Sequence, residues 1–178
     1  MGVDKTAQFQ SCCIRDKSRK AKIMRLALYQ PDIPQNTGTI LRLSACLDVP
    51  CDIIAPAGFD MSDRALRRAG LDYLDHVKIS RHASFEEFEA ERARRGGRLI
   101  LLTTKAEMPY CSFIFQETDC LLLGRESSGV PENVHEAADE RLVIPMSQDM
   151  RSINVAMSAA MVLGEALRQT GHFSSLTA

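Results

Sequence analysis

Four short stretches of this chain carry polar side chains of the types that hold phosphate, move protons or stabilise charge. The first is Pro34-Gln35-Asn36 with Arg42 shortly after it, and the second is Thr103-Thr104-Lys105. The third is Gly124-Arg125-Glu126-Ser127-Ser128-Gly129-Val130-Pro131; the fourth runs from Pro145 to Ser152 and includes Asp149 and Arg151, with Asn154 just beyond. The Gly124–Pro131 stretch lacks the lysine and hydroxyl of a phosphate-binding P-loop and the G-x-G-x-x-G of dinucleotide binders, so phosphate-rich nucleotides are disfavoured. A ligand held by backbone hydrogen bonds in an apolar slot fits it better. An ordinary turn between strand and helix fits it equally well.

Asp149, Arg151, Ser152 and Asn154 crowd the start of a long helix, where backbone N–H groups are unpaired. Ser152 or Asn154 can serve there simply as a cap. Arg151 opposes the helix dipole, which points to a functional reason for its place. Asn36 likewise reads as the cap of a helix through Ile40, Leu41, Ala45 and Leu47. Arg42 lies on that otherwise apolar helix, so it either extends to the edge or points into a site. A charge so placed needs a partner, either a carboxylate such as Glu126 or a substrate phosphate.

The elements that must position these groups alternate between strand and helix. Arg25–Tyr29 and Cys51–Ala55 are short apolar runs, Val77–Ile79 a weak one, and Leu99–Leu102, Cys120–Leu123 and Leu142–Ile144 continue the pattern. The continuous runs have the character of strands covered on both faces. Between them fall the Asn36 helix, a short helix capped by Ser62 and stopping at Gly70, and FEEFEAERARR capped by Ser84 and ended by Gly96-Gly97. A last helix runs from about Ile153 to Gln169 and stops at Gly171. Such alternation predicts an α/β fold around a parallel sheet. In such a sheet ligands bind beyond the carboxyl ends of the strands, where three of the four stretches lie.

The chain has 178 residues, 45% hydrophobic and 25% charged, with a formal net charge of −1. That suits one domain with a substantial core, and any nucleic-acid contact must come from local patches. Up to Arg25, seven basic residues face two acidic ones, a charge of +5 that leaves −6 for the rest. Residues 1–23 therefore read as a basic, solvated extension of a domain spanning 24–178, able to touch phosphates. No run is apolar enough to span a bilayer, and the start lacks a signal-peptide core, so no membrane association is expected. Cys12, Cys13, Cys46, Cys51, Cys111 and Cys120 show no C-x-x-C spacing, and His76, His82, His135 and His172 are scattered. Neither a metal site nor a disulfide framework is expected. Cys46, Cys51 and Cys120 read as small core residues of a reduced, cytoplasmic protein.

Taken in order, PDIPQNTGTILRLSACL (31–47), GFDMSDRALRRAGLDYLD (58–75), LLTTK (101–105), LLLGRESSGVPENV (121–134) and LVIPMSQDMRSINVAMSAAMVLGEALRQ (142–169) resemble the SpoU branch of the SPOUT RNA methyltransferases, above all its small TrmL/YibK-type members. The resemblance implies a parallel α/β domain whose C-terminal segment forms a trefoil knot, working as a homodimer. It implies S-adenosylmethionine as methyl donor, without a metal, bound by Leu102, Gly124, Ile144 and Ser152. Asn36, Arg151 and Asn154 match polar positions associated with RNA, and Arg42 and Glu126 match catalytic ones. The substrate it implies is the 2′-hydroxyl of the wobble nucleotide, position 34, of leucine tRNAs. Another tRNA or rRNA nucleotide, or a module that binds RNA without turnover, are the alternatives. Arg42, the family's favoured residue for activating the hydroxyl, stays protonated and is awkward as a literal base. Holding a phosphate and stabilising alkoxide charge suits it better. Glu126 either accepts the proton or orients Arg42. Two positions depart from the family pattern: Gly164, where many relatives carry tyrosine, and Ala156, where many carry serine.

Overall fold

The computed structural model describes residues 23–62 and 76–176. Seven strands form one sheet in the order β3-β2-β1-β6-β4-β7-β5, and every pairing is parallel. They are β1 (Arg25–Tyr29), β2 (Cys51–Ile54), β3 (Ile79–His82), β4 (Leu99–Leu102), β5 (Met108–Pro109), β6 (Cys120–Leu123) and β7 (Glu140–Val143). The helices are α1 (Pro34–Cys46), α2 (Phe85–Arg95), α3 (Glu132–Ala137) and α4 (Val155–Gln169).

Strand alternation sorts the core onto two faces. Leu26, Leu28, Ile53, Ile100, Leu121 and Leu123 pack beneath α1 and α4 through Ile40, Leu41, Val162, Leu163 and Leu167. Ala27, Tyr29, Ile54, Leu99, Leu101 and Leu122 face the other way, against Phe88 of α2 and Val134 of α3. Both faces are covered, which is why β2 and β6 are buried along their whole length. Two carboxylates, Asp52 and Asp119, are wholly buried among them. Asp52 accepts from Arg25 Nε at 2.6 Å, lies 2.8 Å from His82 Nε2, and receives Arg95 of α2 at 3.4 Å. Burial opposes its charge, yet these partners hold its pKa below the ordinary carboxylate value.

Several elements differ from the sequence reading. Asn36 is not a cap: α1 starts two residues earlier at Pro34, with Ile33 in the capping position and no side-chain cap bond. Proline at the first helical position lacks only an N–H that would be unpaired anyway, and its fixed φ already suits a helix. β3 lies at Ile79–His82 rather than Val77–Ile79, and β7 ends at Val143. α4 begins at Val155, capped by Asn154, whose Oδ1 accepts from Ala156 N at 2.9 Å and Met157 N at 3.3 Å. Cys46 is exposed, whereas Cys51 and Cys120 are buried. It falls on the outward stripe of α1 with Gln35, Thr39 and Arg42. Ser84 caps α2 as expected. The body of the helix expected after the Ser62 cap, 63–70, lies outside the described residues. Short α3 and the two-residue β5 had no periodic signal to announce them.

Candidate active site

The carboxyl ends of β4, β6 and β7 open into a cavity of about 400 Å³, a size typical of small-molecule sites. Its floor is apolar, built from Leu101, Leu102, Leu123, Leu142 and Ile144 at or beside the strand ends, with Val130, Ile153 and Val155 from the segments that follow. Asn36, Glu126, Ser152, Asn154 and Ser158 give it polar walls.

Three of those polar groups, far apart in the chain, form one hydrogen-bonded line. Asn154 Nδ2 donates to Asn36 Oδ1 at 3.0 Å, and Asn36 Nδ2 donates to Glu126 Oε1 at 3.2 Å. Glu126 Oε2 accepts from the backbone N–H of Asp32 at 2.9 Å. Since Asn154 also caps α4, the line runs from the first turn of the last helix, across α1, to the loop after β6. Early placement of the α1 start puts Asn36 on the inner side of the first turn, where its carboxamide can do this.

The loop after β6 is tightly closed. Arg125 N donates to Gly129 O at 2.9 Å and Gly129 N returns to Arg125 O at 2.8 Å. Gly129 has φ +70°, the left-handed conformation that glycine adopts without penalty. A Cβ on Gly124 would stand 2.7 Å from the carbonyl carbon of Gly129, so position 124 has no room for a side chain. On the outer side, Asp32 Oδ1 accepts from Arg125 Nη2 at 2.6 Å and Nε at 3.1 Å, and Asp32 Oδ2 from Ser127 N at 3.2 Å and the Ser127 hydroxyl. Arg125 and then Ser127 hold the Asp32 carboxyl down at a pKa of about 2.

The SpoU rRNA Methylase family profile matches residues 23–164, most of the chain. The chain belongs to the SpoU methylase family. A protein of Beijerinckia indica subsp. indica named tRNA (cytidine(34)-2'-O)-methyltransferase is 64% identical over 146 residues, 82% of this chain and 91% of that one. A solved structure concerned with the 2-OH methylation of C/U34 on tRNA superposes at a TM-score of 0.77 with 41% identity, covering 83% of this chain and 95% of that one. The SpoU methyltransferase AviRb of Streptomyces viridochromogenes, in complex with the cofactor AdoMet, superposes at 0.72 with 26% identity, over 83% of this chain and 60% of that one.

In this SpoU-family chain, Leu102, Gly124, Ile144 and Ser152 all border the cavity, and so do Asn36, Glu126 and Asn154. Arg42 and Arg151 do not. Arg42 is exposed on the outer stripe of α1, and Arg151 is exposed without a hydrogen bond or ion pair among the described residues. The expected pairing of Glu126 with Arg42 is not formed: Arg42 sits on the outer stripe of α1, while Glu126 lines the cavity and accepts from Asp32 N and Asn36 Nδ2. Sequence reasoning missed Asp32, Arg125 and Ser127 as a unit. Their separation of over ninety positions leaves no local spacing to read. The one signal in the sequence is a carboxylate in the proline-bounded turn Pro31-Asp32-Ile33-Pro34, just ahead of Asn36.

Proposed function

We propose that this protein transfers a methyl group from S-adenosylmethionine to the ribose 2′-hydroxyl of nucleotide 34 of tRNA. The observation that carries this reading is the apolar cavity at the strand ends with the Asn154–Asn36–Glu126 line on its wall. The cavity fits the donor in kind: an apolar floor for an adenine, small residues at Gly124 and Gly129, and Ser152 and exposed backbone for polar groups. Leu102, Gly124, Ile144 and Ser152 are the residues proposed to hold it. When bound, it supplies an electrophilic methyl on a sulfonium leaving group, so no metal is needed to activate the transfer.

The chain must then align the hydroxyl and manage its proton. Each oxygen of Glu126 holds one donor and has capacity for another, so the carboxylate can accept from a hydroxyl while staying fixed. Asn36 and Asn154 fix its position and offer amide groups to the nucleotide. Arg42 and Arg151 supply guanidinium groups for RNA phosphates, and Arg42 stabilises the developing alkoxide as a permanent cation.

Because Arg42 lies outside the cavity of its own subunit, the reading includes a homodimer in which this arginine reaches the neighbouring site. Its support is that α1 and α4 pack side by side while Met157 and Met161 of α4 remain 58% and 39% exposed. We propose the family's knotted path for the segment between β7 and α4, supported by its sharing one cavity with the loop after β6. Leucine isoacceptors, a cytoplasmic site of action and a separate basic extension at 1–23 complete the reading on resemblance and composition. No helix among the described residues is long and apolar enough to cross a membrane. The test is nucleoside mass spectrometry of tRNA from cells lacking the gene. Loss of one 2′-O-methylated nucleoside at position 34, restored by the purified protein and donor, is expected. Unchanged tRNA modification overturns the proposal.

A further inference from the structure

We infer that Asp32 is a positioning residue for methyl transfer, a latch that sets the loop carrying Glu126; this deepens the methyl-transfer reading and rests on it. Asp32 alone grips three consecutive residues of that loop. Its N–H holds Glu126 Oε2 at 2.9 Å, Oδ1 holds both Nε and Nη2 of Arg125, and Oδ2 holds the N–H and hydroxyl of Ser127. The turn behind it is fixed as well. Gly58 N donates to Pro31 O at 2.9 Å, and a Cβ at Gly58 would come within 3.2 Å of Asp32 Cα. Gln30 Oε1 adds a further bond to Arg125 Nη1 at 3.3 Å.

What Asp32 organises is the site rather than the core. Asp52 and Asp119 are wholly buried and tie strands and flanking segments together. The Asp32 side chain, by contrast, is 17% exposed and reaches only the loop. Among the described residues Glu126 itself has two hydrogen-bond partners, and one is the Asp32 backbone. Releasing Arg125 and Ser127 on either side leaves Glu126 on a loop free to shift, and misplacement by an ångström at a reacting centre costs on the order of a hundredfold in rate.

Asp32→Asn tests this. The amide is isosteric but neutral, and its NH₂ group faces the Ser127 N–H, so at least one loop contact is lost. Three measurements on the full chain decide the matter. Amide hydrogen exchange across residues 124–129 should quicken while the strands keep their protection, and this needs no substrate. In single-turnover tRNA methylation with saturating donor, the rate should fall by about tenfold or more while the KM for tRNA stays within about threefold. In a Glu126→Gln background, Asp32→Asn should cost little more, since both changes disable one unit. Unchanged exchange in the loop, a near wild-type rate, or losses that multiply with Glu126→Gln would each overturn the latch. A wild-type protein that methylates no tRNA would instead sink the methyl-transfer reading, and the exchange experiment would still judge the latch by itself.

Discussion

Replacing Gly124 by alanine is expected to abolish tight donor binding by deforming a loop, rather than by filling the slot. The new Cβ would stand 2.7 Å from Gly129 C, 2.9 Å from its Cα and 3.0 Å from its O. The first of these is about 0.7 Å short of the 3.4 Å at which ordinary contact begins. All three atoms are backbone, so no rotamer change relieves the overlap. Gly129 must move, and it is tied to Arg125 by the reciprocal bonds at 2.9 and 2.8 Å. Overpacking of this kind costs about 1–3 kcal/mol, and loosening one such bond adds about 1. A local cost of about 2–4 kcal/mol weakens a ligand that needs the closed loop by roughly 30-fold to nearly a thousandfold. The sheet does not depend on the loop, so the protein should stay folded, with Tm lower by no more than about 16 °C. Calorimetric titration with S-adenosylmethionine and a thermal melt measure the two quantities. Gly164→Ala is the internal comparison: nothing lies within 4 Å of its added Cβ, and alanine is favoured over glycine inside a helix by about 0.5–1 kcal/mol. Wild-type donor affinity in a folded Gly124→Ala protein would refute the argument, because the overlap would then have been absorbed without opening the loop.

Arg42→Ala should fold and bind S-adenosylmethionine normally, since the side chain is exposed and outside the cavity, yet lose most tRNA methylation. Arg42→Lys should recover little, as lysine keeps the charge but not the planar fork; near wild-type single-turnover rates in Arg42→Ala would end its catalytic role. Asp52→Ala should destabilise the fold by about 3–5 kcal/mol in denaturant titration, because it strands the Arg25 and Arg95 charges against the core. The Asp32 carboxyl should titrate near 2 by carbon NMR. Its folded pKa lies below the ordinary value of 3.8, so the latch's contribution is full above 3.8 and fades as pH falls through about 2; a midpoint near 3.8 would mean that the carboxylate is not engaged. Removing residues 1–23 should leave the melt and donor affinity unchanged, because Met24 and β1 retain the core contacts. Any loss should be confined to tRNA affinity and shrink with added salt.

The parallel sheet was legible from the sequence because strands covered on both faces form nearly continuous apolar runs, as Leu99–Leu102 and Cys120–Leu123 do. The post-strand loops as the place of the cavity followed from the same pattern, since helices occupy both faces and leave the strand ends open. Boundaries set by one residue's conformation were harder to read. Asn36 has the chemistry of a cap, yet Pro34 starts α1 first and leaves that carboxamide free to join Glu126 and Asn154. Cys46 lies in an apolar stretch, yet its turn of the helix faces outward, and only the packing direction of α1 on the sheet decides that. The grip of Asp32 on Arg125, Glu126 and Ser127 could not be inferred from spacing at all. Hydrogen bonds between turns over ninety positions apart depend on β1 and β6 lying side by side in the sheet. That adjacency is a property of strand order, which neither hydrophobic period nor local motif encodes.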